Sequence, residues 1–316
     1  MKILPEHILT LQQLPGIGNK TIFKIIENSH SDITSVDDIY TAVKSLKGKK
    51  FQSITKDDII EGYDSAQRII KLSKEHGIGI ISFYDDIYPE RFRTTINEDG
   101  KLDPPLILWY RGDLTICKLP GIAIIGTREV TPEGKVGGEY LAQEFAKRDF
   151  NIISGLAIGC DTCGHVGALR QGGKTTAILA NGLDFDSIYP TENKELAEEI
   201  VKNGGLLLSE YYIGQKVNRY GLVARDRLQA GLALATLVIQ TGIKGGTMHA
   251  ATTTLKANKP LYAMQFKSDI VNKHEKCLGN KYLVEQGGHY ISGVSNLDDI
   301  CNDIINVPKI KLTLFD

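Results

Sequence analysis

The apolar positions of this chain follow two regimes. Up to about residue 75 they recur at three- and four-residue spacing, as in Ile22, Phe23, Ile25 and Ile26, the pattern of helices burying one face. From Gly121 onward short apolar runs alternate with helical stretches. Strands are predicted over 122–125, 151–154, 175–180, 205–209, 235–240 and 260–263, with helices over 132–148, 161–171, 192–203, 225–232, 247–258 and 296–305. That alternation predicts an α/β fold, a doubly wound and mostly parallel sheet with helices on both faces. Between the regimes, 77–81 is a strand candidate, 86–92 turns into a short helix, and a second strand runs to Gly112. It begins only after Pro104 and Pro105, because proline cannot donate to a central ladder. The expected domains are a helical one over 1–75 and a sheet domain over 76–316.

Ligands on such sheets bind outside the carboxyl ends of the strands. The segments expected there are Gly126-Thr127-Arg128, Gly155–Gly159 after Ser154, Asn181-Gly182, Glu210–Tyr212 and 241–247. Four of the five carry glycine, which points to close backbone approach by a ligand. Gly121-Ile-Ala-Ile-Ile-Gly-Thr-Arg128 is strand and turn, with Pro132 opening the next helix; such a turn aims N–H groups at an anion, and Arg128 adds a guanidinium. Its plain reading is the first βα turn of any such sheet. Lys244-Gly245-Gly246-Thr247 also follows a strand and opens a helix. Arg225-Asp226-Arg227 is either a solvated turn or a phosphate clamp, with Asp226 holding one guanidinium. Near the N-terminus, Leu11 and Leu14 close one helix and Pro15-Gly16-Ile17-Gly18 turns into the next. This is a helix-hairpin-helix pattern able to meet a phosphate, or a simple helical hairpin. Lys44, Lys47, Lys49 and Lys50 read as a solvated face.

Composition narrows the partners. The chain has 316 residues, a formal net charge of −1 and 24% charged residues, so any nucleic acid must meet a local patch. No apolar run approaches the length of a membrane helix and the start lacks a signal-peptide core; a cytoplasmic, reduced setting is expected for its five cysteines. Cys160 and Cys163 lack further ligands at metal spacing and read as two buried thiols. Asp161 and His165 share a helix face, as a structural pair or an acid–base couple. Ala168–Thr175 mimics a phosphate-binding loop, but helix precedes it and strand follows, the reverse of what that loop needs. Lys174 therefore starts a strand, at the sheet end opposite the expected ligand.

The ordered set 121–128, 153–161 with His165, 181–184 with Tyr189-Pro190, 207–210, 225–232, 245–247 and 279–287 resembles the DprA/Smf family of DNA-processing proteins. The resemblance covers nearly all of 121–300, and 1–75 resembles that family's helical, SAM-like N-terminal domain. It implies an extended Rossmann-like fold and single-stranded DNA binding. It also implies homodimerisation, and loading of a RecA-type recombinase during transformation or recombination, with no catalysis, cofactor or metal. By that resemblance DNA contacts fall on Arg128, Lys174, Arg225 and Arg227. The family usually has asparagine where this chain has Asp226, and a Ser-Gly-Ser-type loop where it has 243–247, which marks a divergent branch. A C-terminal winged-helix domain has no room before residue 316. The rival is a nucleotide sensor or a phosphoribohydrolase-like enzyme of related fold; Ala250 stands where its catalytic glutamate would be. Tyr211, Tyr212 and Tyr220 are base-stacking or core residues. The end of the chain, Leu312 to Phe315, resembles a sliding-clamp-binding peptide, with Lys311 in place of glutamine; folding back onto the sheet is the alternative.

Overall fold

The computed structural model describes residues 2–29 and 31–307. The apolar tail around Leu312, Leu314 and Phe315, with its clamp-like peptide, lies outside the described residues. The described residues divide into two compact units. One runs to Tyr88 and takes in Leu106–Trp109; the other holds Pro89–Pro105 and the residues from Tyr110 onward.

The first unit carries helices α1 (Pro5–Gln13), α2 (Asn19–Asn28), α3 (Val36–Lys44), α4 (Lys49–Ser53) and α5 (Lys56–Glu75). Strand β1 (Gly79–Ser82) follows, beside β2 (Ile107–Gly112), whose first residues belong here. Pro5 opens α1, where its missing N–H costs nothing. A reciprocal capping box between Thr55 and Asp58 starts the long α5. Ile8, Leu11, Ile22, Ile25, Ile26, Ile39 and Ile59 are fully buried. The hairpin between α1 and α2 turns at Gly16, whose φ of +70° suits glycine. The Lys50 side chain lies directly over Gly16, which sets a positive charge on the hairpin.

The second unit is built on parallel strands in the order β6–β5–β4–β3–β7–β8–β9. They are β3 (Gly121–Ile125), β4 (Asn151–Ser154), β5 (Thr175–Leu179), β6 (Leu206–Ser209), β7 (Ala235–Val238), β8 (Leu261–Met264) and β9 (His289–Ile291). The helices between them are α6 (Pro132–Ala146), α7 (Cys160–Arg170), α8 (Lys194–Lys202), α9 (Arg219–Leu232), α10 (Gly246–Lys256), α11 (Asp269–Asn272), α12 (Leu278–Glu285) and α13 (Leu297–Ile305). Every residue of β3 to β8 is buried, as expected of strands covered on both sides. Side chains of β3 alternate between the two layers. Ile122 and Ile124 join Leu141, Phe145, Cys163 and, from α13, Leu297, Ile300 and Ile304; Ile125 joins Val238, Ala250, Ala251 and Leu283. Gly167 lets α7 approach the backbone of α6, because a Cβ there would run into Glu139 O.

From β3 the chain winds outward through β4 and β5 to β6, then returns through α9 to place β7 on the other side of β3. The crevice at the carboxyl ends of β3 and β7 is thus the topological switch point, where open α/β sheets bind ligands. The sheet is the doubly wound, mostly parallel one that the alternating pattern predicts. One helix differs. α9 starts six residues before the predicted 225, at Arg219, because the Asn218 side chain accepts the Gly221 N–H at 2.8 Å and caps it. β9 escaped the pattern because only Ile291 of its three residues is buried. Among the described residues no helix is long and apolar enough to cross a membrane.

Candidate anion-binding cavity

A cavity of about 660 Å³ opens at the switch point. Its walls are the turn Gly126-Thr127-Arg128 after β3, the loop 241–247 after β7, the first three turns of α9 and the start of α10. Arg128, Arg219 and Lys244 line it, are exposed, and have no ion-pair or hydrogen-bond partner among the described residues. Lys276 lines it too but is tied to Glu129 at 2.9 Å. Gly245, at φ +134°, starts the 11-residue α10 without a side-chain cap. Its first N–H groups and helix dipole therefore face the cavity, as an anion requires. Gly245 borders open space, and the nearest atom facing Gly246 is Asp226 Oδ2, 3.9 Å from where a Cβ would stand.

The floor is made by α9. Arg225 is 7% exposed, and its Nη1 donates to Ile178 O at 2.8 Å. Its Nε stands 3.2 Å from Asp226 Oδ1, yet the N–H does not point at that oxygen and finds no hydrogen-bond acceptor. Burial lifts the Asp226 carboxyl to about 6, against the pull of Arg225 and with a push from Asp161. Asp161 accepts the N–H groups of Gly155 (3.0 Å) and Ala157 (3.3 Å). Burial raises its pKa, opposed by Arg225 and those two N–H bonds. Beside Asp226, Gln229 is 2% exposed and its Nε2 has no partner.

The residues expected to form the site thus separate. Gly126, Thr127, Arg128, Arg225, Lys244, Gly245, Gly246 and Thr247 come together around the cavity. Ser154 is fully buried and donates to Ile124 O at 2.6 Å. Gly155 does not make room for a ligand: a Cβ there would lie 1.5 Å from Arg225 Nη1, so its job is to seat that guanidinium. Gly126 likewise makes room for Cys160 and Gln240 O, and Gly159 for the carbonyls of Thr127 and Arg128. Arg227 points away from the cavity. It grips Glu210 through two bonds, at 2.7 and 2.8 Å, and Asp103 at 2.7 Å. Burial pulls its pKa down, but these two carboxylates outweigh it and hold the charge firmly. Lys174 stands at the amino end of β5, opposite the cavity, and donates to Asn203 O at 3.2 Å.

The Asp161–His165 couple does not form. His165 Nδ1 lies 2.7 Å from Thr175 Oγ1, whose proton goes to Ile152 O at 2.7 Å. Nδ1 therefore carries the ring proton, and burial holds the imidazole neutral, with a pKa near 3. Cys160 and Cys163 are buried free thiols, and burial raises Cys163 to about 11 and Cys160 well above its ordinary value. Of the three tyrosines Tyr220, on α9, is 87% exposed, and Tyr211 and Tyr212 are half-buried.

Arg219 and Gln229 escaped the sequence reading. The signal for Arg219 was Asn218, a good N-cap residue. With the helix begun there, Arg219, Val223 and Asp226 fall on one face at spacings of four and three.

The family model for DNA recombination-mediator protein A matches residues 79–304. Protein Smf of Synechocystis is 36% identical over 61% of this chain, and the aligned part spans about half of that relative (48%). The solved structure of DNA processing protein A from Streptococcus pneumoniae superposes with a TM-score of 0.74 at 28% identity, covering 95% of this chain and 99% of that one. A structure of DNA processing protein A from Helicobacter pylori, described by its single-stranded DNA binding mode, reaches 0.59 at 30% identity over 72% of this chain and 95% of that one. With the family model matching most of the chain and the fold superposing on that of the Streptococcus pneumoniae protein, the chain belongs to the DprA/Smf family of DNA recombination-mediator proteins.

Proposed function

We propose that this chain binds single-stranded DNA at the switch-point cavity and acts as a recombination mediator that loads a RecA-type recombinase, as a homodimer and without a catalytic step. The observation that carries the reading is the trio Arg128, Arg219 and Lys244, three unpaired cations around an uncapped helix N-terminus. Phosphates bind such a place through charge and backbone N–H groups with no base chemistry needed. The relative from Helicobacter pylori, known by its single-stranded DNA binding mode, supports the choice of polymer. Lys174, across the sheet, is an additional phosphate contact for a strand that runs along its side. The reading without a catalytic step is supported by the burial of the thiols and by the bond that ties His165 to Thr175.

The test is a titration of labelled oligo-dT, with mononucleotides and NAD as competitors, at two salt concentrations. Oligo-dT is expected to bind, to outcompete each small molecule, and to weaken with salt. Tight NAD or mononucleotide binding with no affinity for oligo-dT would instead establish the nucleotide sensor.

A further inference from the structure

The cations account for phosphate but not for the floor of the cavity, which is chemically specific. Gln229 is almost wholly buried, lines the cavity and leaves its Nε2 donor unsatisfied. An unpaired buried donor is costly unless something fills it. Asp226 lies three residues earlier on the same face of α9, 8% exposed. Arg225 Nε approaches its Oδ1 without a hydrogen bond, and its Oδ2 faces Gly246 at the mouth of α10. The floor therefore offers a carboxylate acceptor beside the Gln229 amide, whose Nε2 is shielded from solvent as it stands and reaches the cavity when the amide turns by half a rotation about its last side-chain bond, under a rim built for phosphate.

We propose that the floor of this cavity reads the edge of a single guanine base, with Asp226 accepting from N1–H and the N2 amino group and Gln229 Nε2 donating to O6. This rests on the reading of the cavity as a nucleotide site. Guanine alone presents two adjacent donors to the two carboxylate oxygens, with an acceptor next to them. Adenine presents one donor beside one acceptor and cytosine one donor beside two acceptors, so each offers the carboxylate only one of its two donors. Thymine sets its single N3–H between two carbonyls, whose lone pairs meet the carboxylate. A volume near 660 Å³ lies within the usual range for small-ligand sites and admits one nucleotide. The guanine can belong to a strand or to a free nucleotide; the recognition chemistry is the same.

The experiment uses the full chain and four labelled oligo-dT hosts, identical except for one interior dG, dA, dC or dT. The dG host is expected to bind about tenfold more tightly than the all-dT host, with dA and dC between. Asp226→Asn and Gln229→Leu are each expected to bring that ratio to within about twofold of one. The wild-type titrations decide even if a variant misfolds. Equal affinity for all four hosts overturns the base reading and leaves strand binding standing. Failure of every host and every mononucleotide overturns the nucleotide site itself. Displacement of a bound host by dGMP but not by dTMP supports the base reading, as does binding of dGMP alone when no oligonucleotide binds, which assigns the guanine to a free nucleotide.

Discussion

Arg227 and Arg128 carry the same charge into opposite circumstances, and their substitutions separate accordingly. Arg227 is buried between Glu210 and Asp103. Arg227→Met leaves two carboxylates facing an apolar side chain, a loss of about 3–5 kcal/mol. The expected outcome is a clearly lower melting temperature, read by calorimetry. Arg128 is exposed and unpaired, so Arg128→Ala is expected to leave the melting temperature within about a degree. It should weaken single-strand binding uniformly across sequences. A normal Tm for the first variant, or sequence-selective loss for the second, contradicts these assignments. Asp226 gives a pH dependence. Its folded pKa, near 6, lies above the roughly 3.9 of an unfolded aspartate, so the folded state holds an extra proton between those values. The contribution of Asp226 to stability is therefore greatest below about pH 4 and is lost as pH rises through 6. Arg225, Asp161, His249 and Glu98 face the same carboxyl. Phosphate affinity moves the same way, because protonation removes a negative charge beside α10. Oligo-dT affinity is expected to rise between pH 7.5 and 5.5, and Asp226→Asn to flatten that rise; parallel profiles for the two proteins would assign the effect to other groups.

At the scale of elements, the sheet was legible because strands buried on both faces are short and mainly apolar, as in β3 and β6, while β4, β5 and β7 carry only Asn, Ser or Thr among their apolar residues. The turn 126–128 and the loop 244–247 were legible for the same reason, since the strands fix where they lie. The floor was not. Arg225 and Arg227 differ by about 200° around α9, so one meets the cavity and the other meets Glu210, and sequence spacing does not say which acid will be there. Gly155 looked like a ligand contact, but a glycine that admits a guanidinium and one that admits a phosphate are identical in sequence. The carboxyl end of α9 holds another feature that only tertiary structure reveals. Lys259, from the turn before β8, donates to Ala230 O, Gly231 O and Ala233 O at 2.7–2.9 Å. It satisfies carbonyls that a helix end leaves orphaned. Burial, together with repulsion from Arg91, lowers its pKa to about 7, so the contact is costly to make and costly to lose. Lys259→Met is expected to destabilise the protein by about 1–3 kcal/mol in urea unfolding. An unchanged midpoint would show that water replaces the ammonium.

For the molecule as a whole, 37 basic residues against 38 acidic ones leave no long-range attraction for a polyanion. Binding must come from the local geometry, and its salt dependence counts the charges involved. Each phosphate neutralised on a single strand contributes about −0.7 to the slope of log K against log salt. Arg128, Arg219 and Lys244 together give a slope of about −2. Removing Arg219 is expected to reduce it to about −1.4, and removing the paired Lys276 to change it far less, since its charge is already met by Glu129. The hairpin of the first unit makes a separate contribution testable on the same plot. Lys50 lies over Gly16 without an acidic partner among the described residues. If that hairpin touches a phosphate, Lys50→Ala lowers the slope by a further 0.7 or so on long oligonucleotides only, because a short one fills the cavity alone. A wild-type slope steeper than about −4 would mean that most of the strand lies on basic surface outside the cavity, and would displace the switch point as the principal site.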